Sequence, residues 1–456
     1  ALLDMKKDYG GECSVYLFGR TMSKHSVVAR VHGFRPYLFY YRAGGVEALL
    51  RHVADKTNLD TDALRPFVRL VKRKHLYGFE PNSMDRPTGR KEHEYYEVSF
   101  PTLRSFRLAK SETACHEGIV DPIFKFLDKL NLVASQWVAI TGGNVAALND
   151  PRFSHGDVEI TCGMRAIQSR DMAMIAPLLV AAMDIESYSA TRCFPDADVP
   201  ADRVACIGMT LWWMGAPVED KLRICLVLGT CDAVEGKIII SFDTEAALLA
   251  GYRRMITIVC DVDIEVTYNG FFFDYPYLCK RAALLGVQDF LYMHRLVCVP
   301  CTPRSKTLAS SALGDNELFV IGMYGRTNLD LFQWVKASEK LRSYKLDSVA
   351  SHFLGQNKIP MDYQDMFELC DGSSADRARV ADYCEQDAAL LIDLCSHLQC
   401  LVANVEMSRV CLTLMESLVT RGQQIKVLNQ LAWHAHRLEQ RADGQGGYLL
   451  NTPAEF

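Results

Sequence analysis

The sequence predicts a mixed α/β (α+β) protein of more than one domain, and three observations predict it. A chain of 456 residues, 49% hydrophobic and 23% charged, holds enough apolar side chains for roughly two to four cores. Short β-rich runs broken by Gly, Ser and Pro dominate the front, whereas from about residue 171 strand-like runs are followed by helical ones, as in a mixed sheet covered by helices. Charge is divided as well: residues 1–110 carry 20 Lys+Arg against 12 Asp+Glu, and the remainder 30 against 43. A basic front beside an acidic body suits a protein that tracks a polyanion with one part and collects cations with another; a merely solvated basic face is the alternative.

Composition narrows the class. The longest apolar runs, such as Ile175 to Met183, fall far short of the ~20 residues that cross a bilayer, so no membrane partner is expected. The sixteen cysteines are scattered singly through apolar segments, which reads as reduced thiols in an intracellular protein. Cys298-Val299-Pro300-Cys301, with His294 nearby, lacks a second pair at zinc spacing and reads as a turn. A start at Ala1 rather than methionine suits a processed or excised piece.

In chain order, residues 15–19, 26–31 and 37–41 read as a three-stranded meander, 46–56 as a helix and 95–100 as a further strand. Basic clusters at 69–74 and 86–91 are interleaved with Phe67, Tyr77 and Phe79. Charge for phosphate and ring for base is how a single-stranded nucleic acid is held; an aromatic core under a solvated face reads equally well.

The run Ala176 to Ala182 is apolar without helical spacing, a buried strand that delivers Asp184 and Glu186 from its end onto one face. Residues 191–203 form a polar loop, 204–211, 223–228 and 237–242 further strands, and 244–259 a helix behind an Asp243/Thr244 start signal. Then come a strand and turn over 264–270 and a helix over 271–285. Asp274 stands near that helix start, where the dipole tolerates negative charge or the acid is simply a cap. Residues 303–325 read as a hairpin or mobile loop, 329–335 and 346–353 as helices, and 375–401 as one long helix. Within the last, Tyr383 and Asp387 are four apart and share a face, about 5–6 Å from each other at Cβ.

Asp184 and Glu186 repel one another unless a cation sits between them, and a divalent ion with oxygen ligands is the natural occupant. Four carboxylates (Asp184, Glu186, Asp274, Asp387) and the Tyr383 phenol, spread over about two hundred residues, are the parts that two-metal phosphodiester hydrolysis uses.

These segments also resemble a family. Met183-Asp184-Ile185-Glu186, Tyr268-Asn269-Gly270-Phe271-Phe272-Phe273-Asp274 and Tyr383-Cys384-Glu385-Gln386-Asp387 are similar, in order, to the three exonuclease motifs of family B DNA polymerases. His32-Gly33-Phe34-Arg35-Pro36-Tyr37 resembles the amino-terminal signature, and residues 341–355, 405–409 and 421–427 resemble later segments; the delta-like branch, which includes polymerases of large DNA viruses, matches best. Ser187 stands where the family often has threonine or cysteine, which leaves both acids intact.

The resemblance implies an amino-terminal domain over 1–170, a ribonuclease H-like 3′→5′ exonuclease over 171–400, and helices over 401–456 leading to a polymerase palm. It implies two Mg²⁺ or Mn²⁺ ions on Asp184, Glu186, Asp274 and Asp387, and water positioned by Tyr383 and Glu186. Asn269 and Phe273 would hold the DNA 3′ end, and Lys358 would approach the scissile phosphate. It also implies proofreading in DNA replication, in the nucleus or at a site of viral replication. No palm sequence occurs before Phe456, so the chain is expected not to polymerise alone. An apolar face on Met407, Val410, Leu414, Leu418 and Val427 should await the palm, fingers and thumb in cis or in trans. The alternative reading is a non-catalytic DNA-binding or docking module.

Overall fold

The computed structural model describes residues 2–7, 13–42, 45–76, 92–111, 115–146, 151–310 and 314–450. The basic cluster at 86–91, Tyr77 and Phe79 lie outside these. The architecture is mixed α/β, several sheets with helices against them.

A six-stranded mixed sheet organises residues 179–397. Its order is Ile238–Phe242, Leu222–Leu228, Arg203–Trp213, Leu179–Tyr188, Ile264–Thr267, Thr327–Asp330. Leu179–Tyr188 is central, antiparallel to Arg203–Trp213 and parallel to Ile264–Thr267. A strand covered on both faces needs apolar side chains on both, which is why its first half reads as an unbroken apolar run. Ala181 and Met183 pack with Leu248, Leu249 and Leu278, while Val180 and Ala182 face Ala388 and Leu391 of the long helix Ser374–His397. Pairing with Arg203–Trp213 carries the strand on to Tyr188, so Asp184 and Glu186 stand inside it rather than leaving its end.

Other boundaries also differ from the sequence reading. Residues 37–41 do not complete a meander: after Gly33 (φ 86°) the chain leaves the first sheet, and Tyr37–Tyr41 pairs with His93–Ser99 in a second five-stranded sheet. Thr327–Asp330 is an edge strand, and the helix begins only at Leu331. Residues 255–259 form a π-helical turn after the helix Glu245–Arg254, and the next helix starts at Asp274. The expected helix over 375–401 is two, Ser374–His397 and Cys400–Val410, bent by 53° at Gln399, which takes φ 51°. Pro303–Ser310 and Gly314–Ile321 form an antiparallel hairpin.

The tail folds back on the front of the molecule. Tyr448–Leu449 adds a parallel strand to Val68–His75, and Leu412, Ala432 and Leu450 share a cluster with Val120 and Phe124. His436 is held there between Glu117 Oε1 and Asp128 Oδ2, both at 2.7 Å. All sixteen cysteines are free; Cys298 is exposed, whereas Cys301 is buried with Sγ 3.5 Å from His294 Nδ1. Among the described residues no single helix is long and apolar enough to cross a membrane.

Candidate functional site

Three of the predicted acids meet. Asp184, Glu186 and Asp387 each place a carboxylate oxygen within 4.8 Å of the others. Strand periodicity puts Asp184 and Glu186 on the face that carries Val180 and Ala182, and against this face the long helix is packed. Gly208, on the neighbouring strand opposite Asp184, permits that approach. A Cβ there would lie 2.7 Å from Cys384 O and 2.8 Å from Glu385 Cα. Glu385, fully buried, fixes the helix further through Thr210 Oγ1 (2.7 Å) and Arg223 Nε (2.6 Å). An isolated glycine within a strand pattern was the sequence signal for such a contact.

Lys358 and Tyr383 complete this side. The Lys358 ammonium pairs with Asp387 Oδ2 and sits 5.0 Å from the centroid of the Tyr383 ring. Asp387 Oδ1 is buried without a hydrogen-bond partner among the described residues.

Asp274, Asn269 and Phe273 arrive on one turn. The chain leaves Ile264–Thr267, passes Asn269 at φ 66°, and enters the helix Asp274–Leu284. Gly270 is required, because a Cβ there would fall 2.4 Å from Thr267 Oγ1. Asp274 is buried at the helix start and stands outside the three-acid group, but its charge acts on Asp184 and Glu186. Phe273 packs against Tyr277 (5.5 Å) and meets Phe194 edge-on (5.4 Å). Phe194, 79% exposed on the polar loop, gave no signal in the sequence beyond an aromatic among polar neighbours. Asp330 was also missed: it accepts from Asn269 N at 2.8 Å and Phe271 N at 3.2 Å while capping the next helix at Phe332 N, 3.0 Å. An acid just before a helical run is a cap signal, but nothing local tells that it reaches a turn sixty-one residues earlier.

Electrostatics marks the cluster. Burial, then Asp387, pushes the Asp184 carboxyl well above the usual range; burial, then the Cys384 thiol and Asp387, does the same for Glu186. Asp274 is pushed up to about 7 by burial, with the Ile185 N–H, set between the two strand acids, pulling the other way. Asp387 is raised by burial against the pull of Lys358. Burial lifts the Tyr383 phenol to about 12. Crowded acids that hold protons for want of counter-charge, with an orphan oxygen on one of them, fit a hard divalent cation with oxygen ligands.

Comparison with known proteins gives the family of the chain. A family profile described as DNA polymerase family B, exonuclease domain, matches residues 115–349. The DNA polymerase delta catalytic subunit of Candida albicans is 29% identical over 92% of this chain and 40% of its own length. A DNA polymerase of Paramecium bursaria Chlorella virus NY2A is 28% identical over 93% and 46%. The chain thus spans less than half the length of these relatives. The family B DNA polymerase of the archaeon Pyrobaculum calidifontis shares the fold, with a TM-score of 0.69 at 19% identity, over 98% of this chain and 50% of that one. The chain belongs to DNA polymerase family B, and the profile match over residues 115–349 is to that family's exonuclease domain.

Proposed function

We propose that this chain is the proofreading part of a replicative DNA polymerase, hydrolysing single-stranded or frayed DNA from its 3′ end with two divalent ions, Mg²⁺ or Mn²⁺. The observation that carries this is the convergence of Asp184, Glu186 and Asp387 within 4.8 Å, with Lys358 and Tyr383 beside them, in a family B exonuclease chain.

In this reading Asp184, Glu186 and Asp387 hold one ion, and Asp274 contributes to a second. Bound ions supply Lewis acidity at the phosphodiester and stabilise charge on the departing oxygen. Tyr383 keeps its proton near neutrality and, with Glu186, orients the attacking water. Lys358, already held by Asp387, offers its ammonium to the scissile phosphate. Asn269 and Phe273, with the exposed Phe194 ring, grip the last bases. A mismatched end frays at little cost, so it is preferred. The relatives and the exposed tail residues Met407, Val410 and Val427 support docking onto the polymerase portion, at a nuclear or viral site of replication. Intact acids favour this over a non-catalytic docking module.

The test is a 5′-labelled oligonucleotide digested with Mg²⁺. A ladder shortening from the 3′ end, faster on mismatched than paired termini and stopped by chelation, is expected. Shortening from the 5′ end, or digestion that persists in chelator, refutes the reading.

A further inference from the structure

We infer that Asp330 is a positioning residue for the gripping turn, setting Asn269, Phe273 and Asp274 through the backbone rather than by touching substrate. The inference rests on the proposed hydrolysis and adds a residue to it. Asp330 is 0% exposed, the last residue of the edge strand, directly opposite Thr267, after which the neighbouring strand breaks into its turn.

Its two oxygens divide the work. Oδ1 takes Asn269 N at 2.8 Å and Phe332 N at 3.0 Å; Oδ2 takes Phe271 N at 3.2 Å. Asn269 has a left-handed backbone, which asparagine adopts more readily than most residues, and its N–H is turned onto Asp330 Oδ1. From there the turn closes on itself: Asn269 O accepts from Phe273 N (3.2 Å) and Gly270 O from Tyr275 N (3.0 Å). Phe273 and Asp274 therefore take their places from a loop whose first peptides are fixed to one buried carboxylate. Burial pushes that carboxyl up to about 6, while the surrounding N–H groups draw it down. The charged form is the one these donors need.

Asp330→Asn separates the positioning role from folding. An asparagine keeps the Oδ1 that takes Asn269 N and caps the helix at Phe332, but sets an NH₂ against the Phe271 N–H, so only the second peptide of the turn loses its hold. Steady-state hydrolysis of a single-stranded oligonucleotide is measured for parent and variant beside their melting temperatures, with Asp184→Ala as the inactive control. The expected result is a KM raised about tenfold, a kcat lowered by less than that, and a Tm within a few degrees of the parent. Asp330→Ala should raise KM at least as far.

Unchanged kinetic constants in Asp330→Asn, with an active parent, overturn the inference alone. A loss of kcat that follows a loss of Tm, with KM unmoved, reduces Asp330 to a structural residue and overturns it too. A parent no more active than Asp184→Ala refutes the proposed function instead.

Discussion

On the proposed reading, proton occupancy at single residues decides when the acid cluster accepts a cation. Folding raises the pKa of Asp184, Glu186 and Asp274 above their unfolded values near 4, Asp274 to about 7, so the folded state binds the extra protons. The sign follows: for Asp274 the stabilisation is full below about 4 and is lost as pH rises through about 7. Cations must displace these protons. Mn²⁺ titration at pH 7 should therefore release protons, seen as heats that differ between buffers of different ionisation enthalpy, and affinity should rise from pH 6 to pH 8. Buffer-independent heats would contradict this. Tyr383→Phe should lower kcat at least about tenfold and leave Mn²⁺ affinity nearly unchanged, whereas Asp387→Asn should weaken both. Equal loss of binding in the two variants would remove Tyr383 from its proposed water-orienting role. Asp184, Glu186 and the Tyr383/Asp387 pair were legible because strand and helix periods place them. Asp330 and Phe194 were not, since their partners lie at distant positions in the chain.

At the scale of elements, the site exists because a helix lies on a strand at the glycine. Gly208→Ala drives a Cβ into the backbone at Cys384 and Glu385, which cannot swing aside as a side-chain tip could. Overpacking of this kind costs about 1–3 kcal/mol and should carry Tyr383 and Asp387 away from the strand acids. The variant should melt lower and hydrolyse DNA poorly even where fully folded; full activity would show that the helix position tolerates the shift. The clasp at His436 sets the tail. Burial opposes its charge, but Glu117 and Asp128 hold it and raise its pKa to about 10, against about 6.5 unfolded. Its stabilisation is thus full below about pH 6.5 and lost as pH rises through about 10. Hydrogen exchange over 424–450 should quicken between pH 8 and pH 10.5 beyond its intrinsic rate in the parent, and His436→Ala should already be fast at pH 7. Identical exchange in both would dismiss the clasp. Most strands and helices were readable from apolar runs and caps. The edge strand Thr327–Asp330 was not, because four buried residues show no alternation, and neither was the bend at Gln399, which has no glycine or proline to announce it.

For the whole molecule, the sequence conveyed the β-rich front, the mixed sheet and the exonuclease unit, but not that the tail packs onto the front. Val410 and Val427 remain 65% and 54% exposed, while Leu414 and Leu418 are half-buried, so the expected apolar face is narrower than its helical spacing implied. On this account the chain should sediment as a mixture of sizes alone and bind a polymerase-portion fragment of its own family; a monodisperse monomer indifferent to that fragment would contradict the docking proposal. The central claim is that the convergent acids are the hydrolytic centre. Single-turnover digestion of a labelled single-stranded oligonucleotide, parent against Asp184→Ala with Glu186→Ala in Mg²⁺, tests it most directly. The account predicts 3′-end hydrolysis by the parent and a rate at least about a thousandfold lower in the double variant. Equal rates for the two would contradict it.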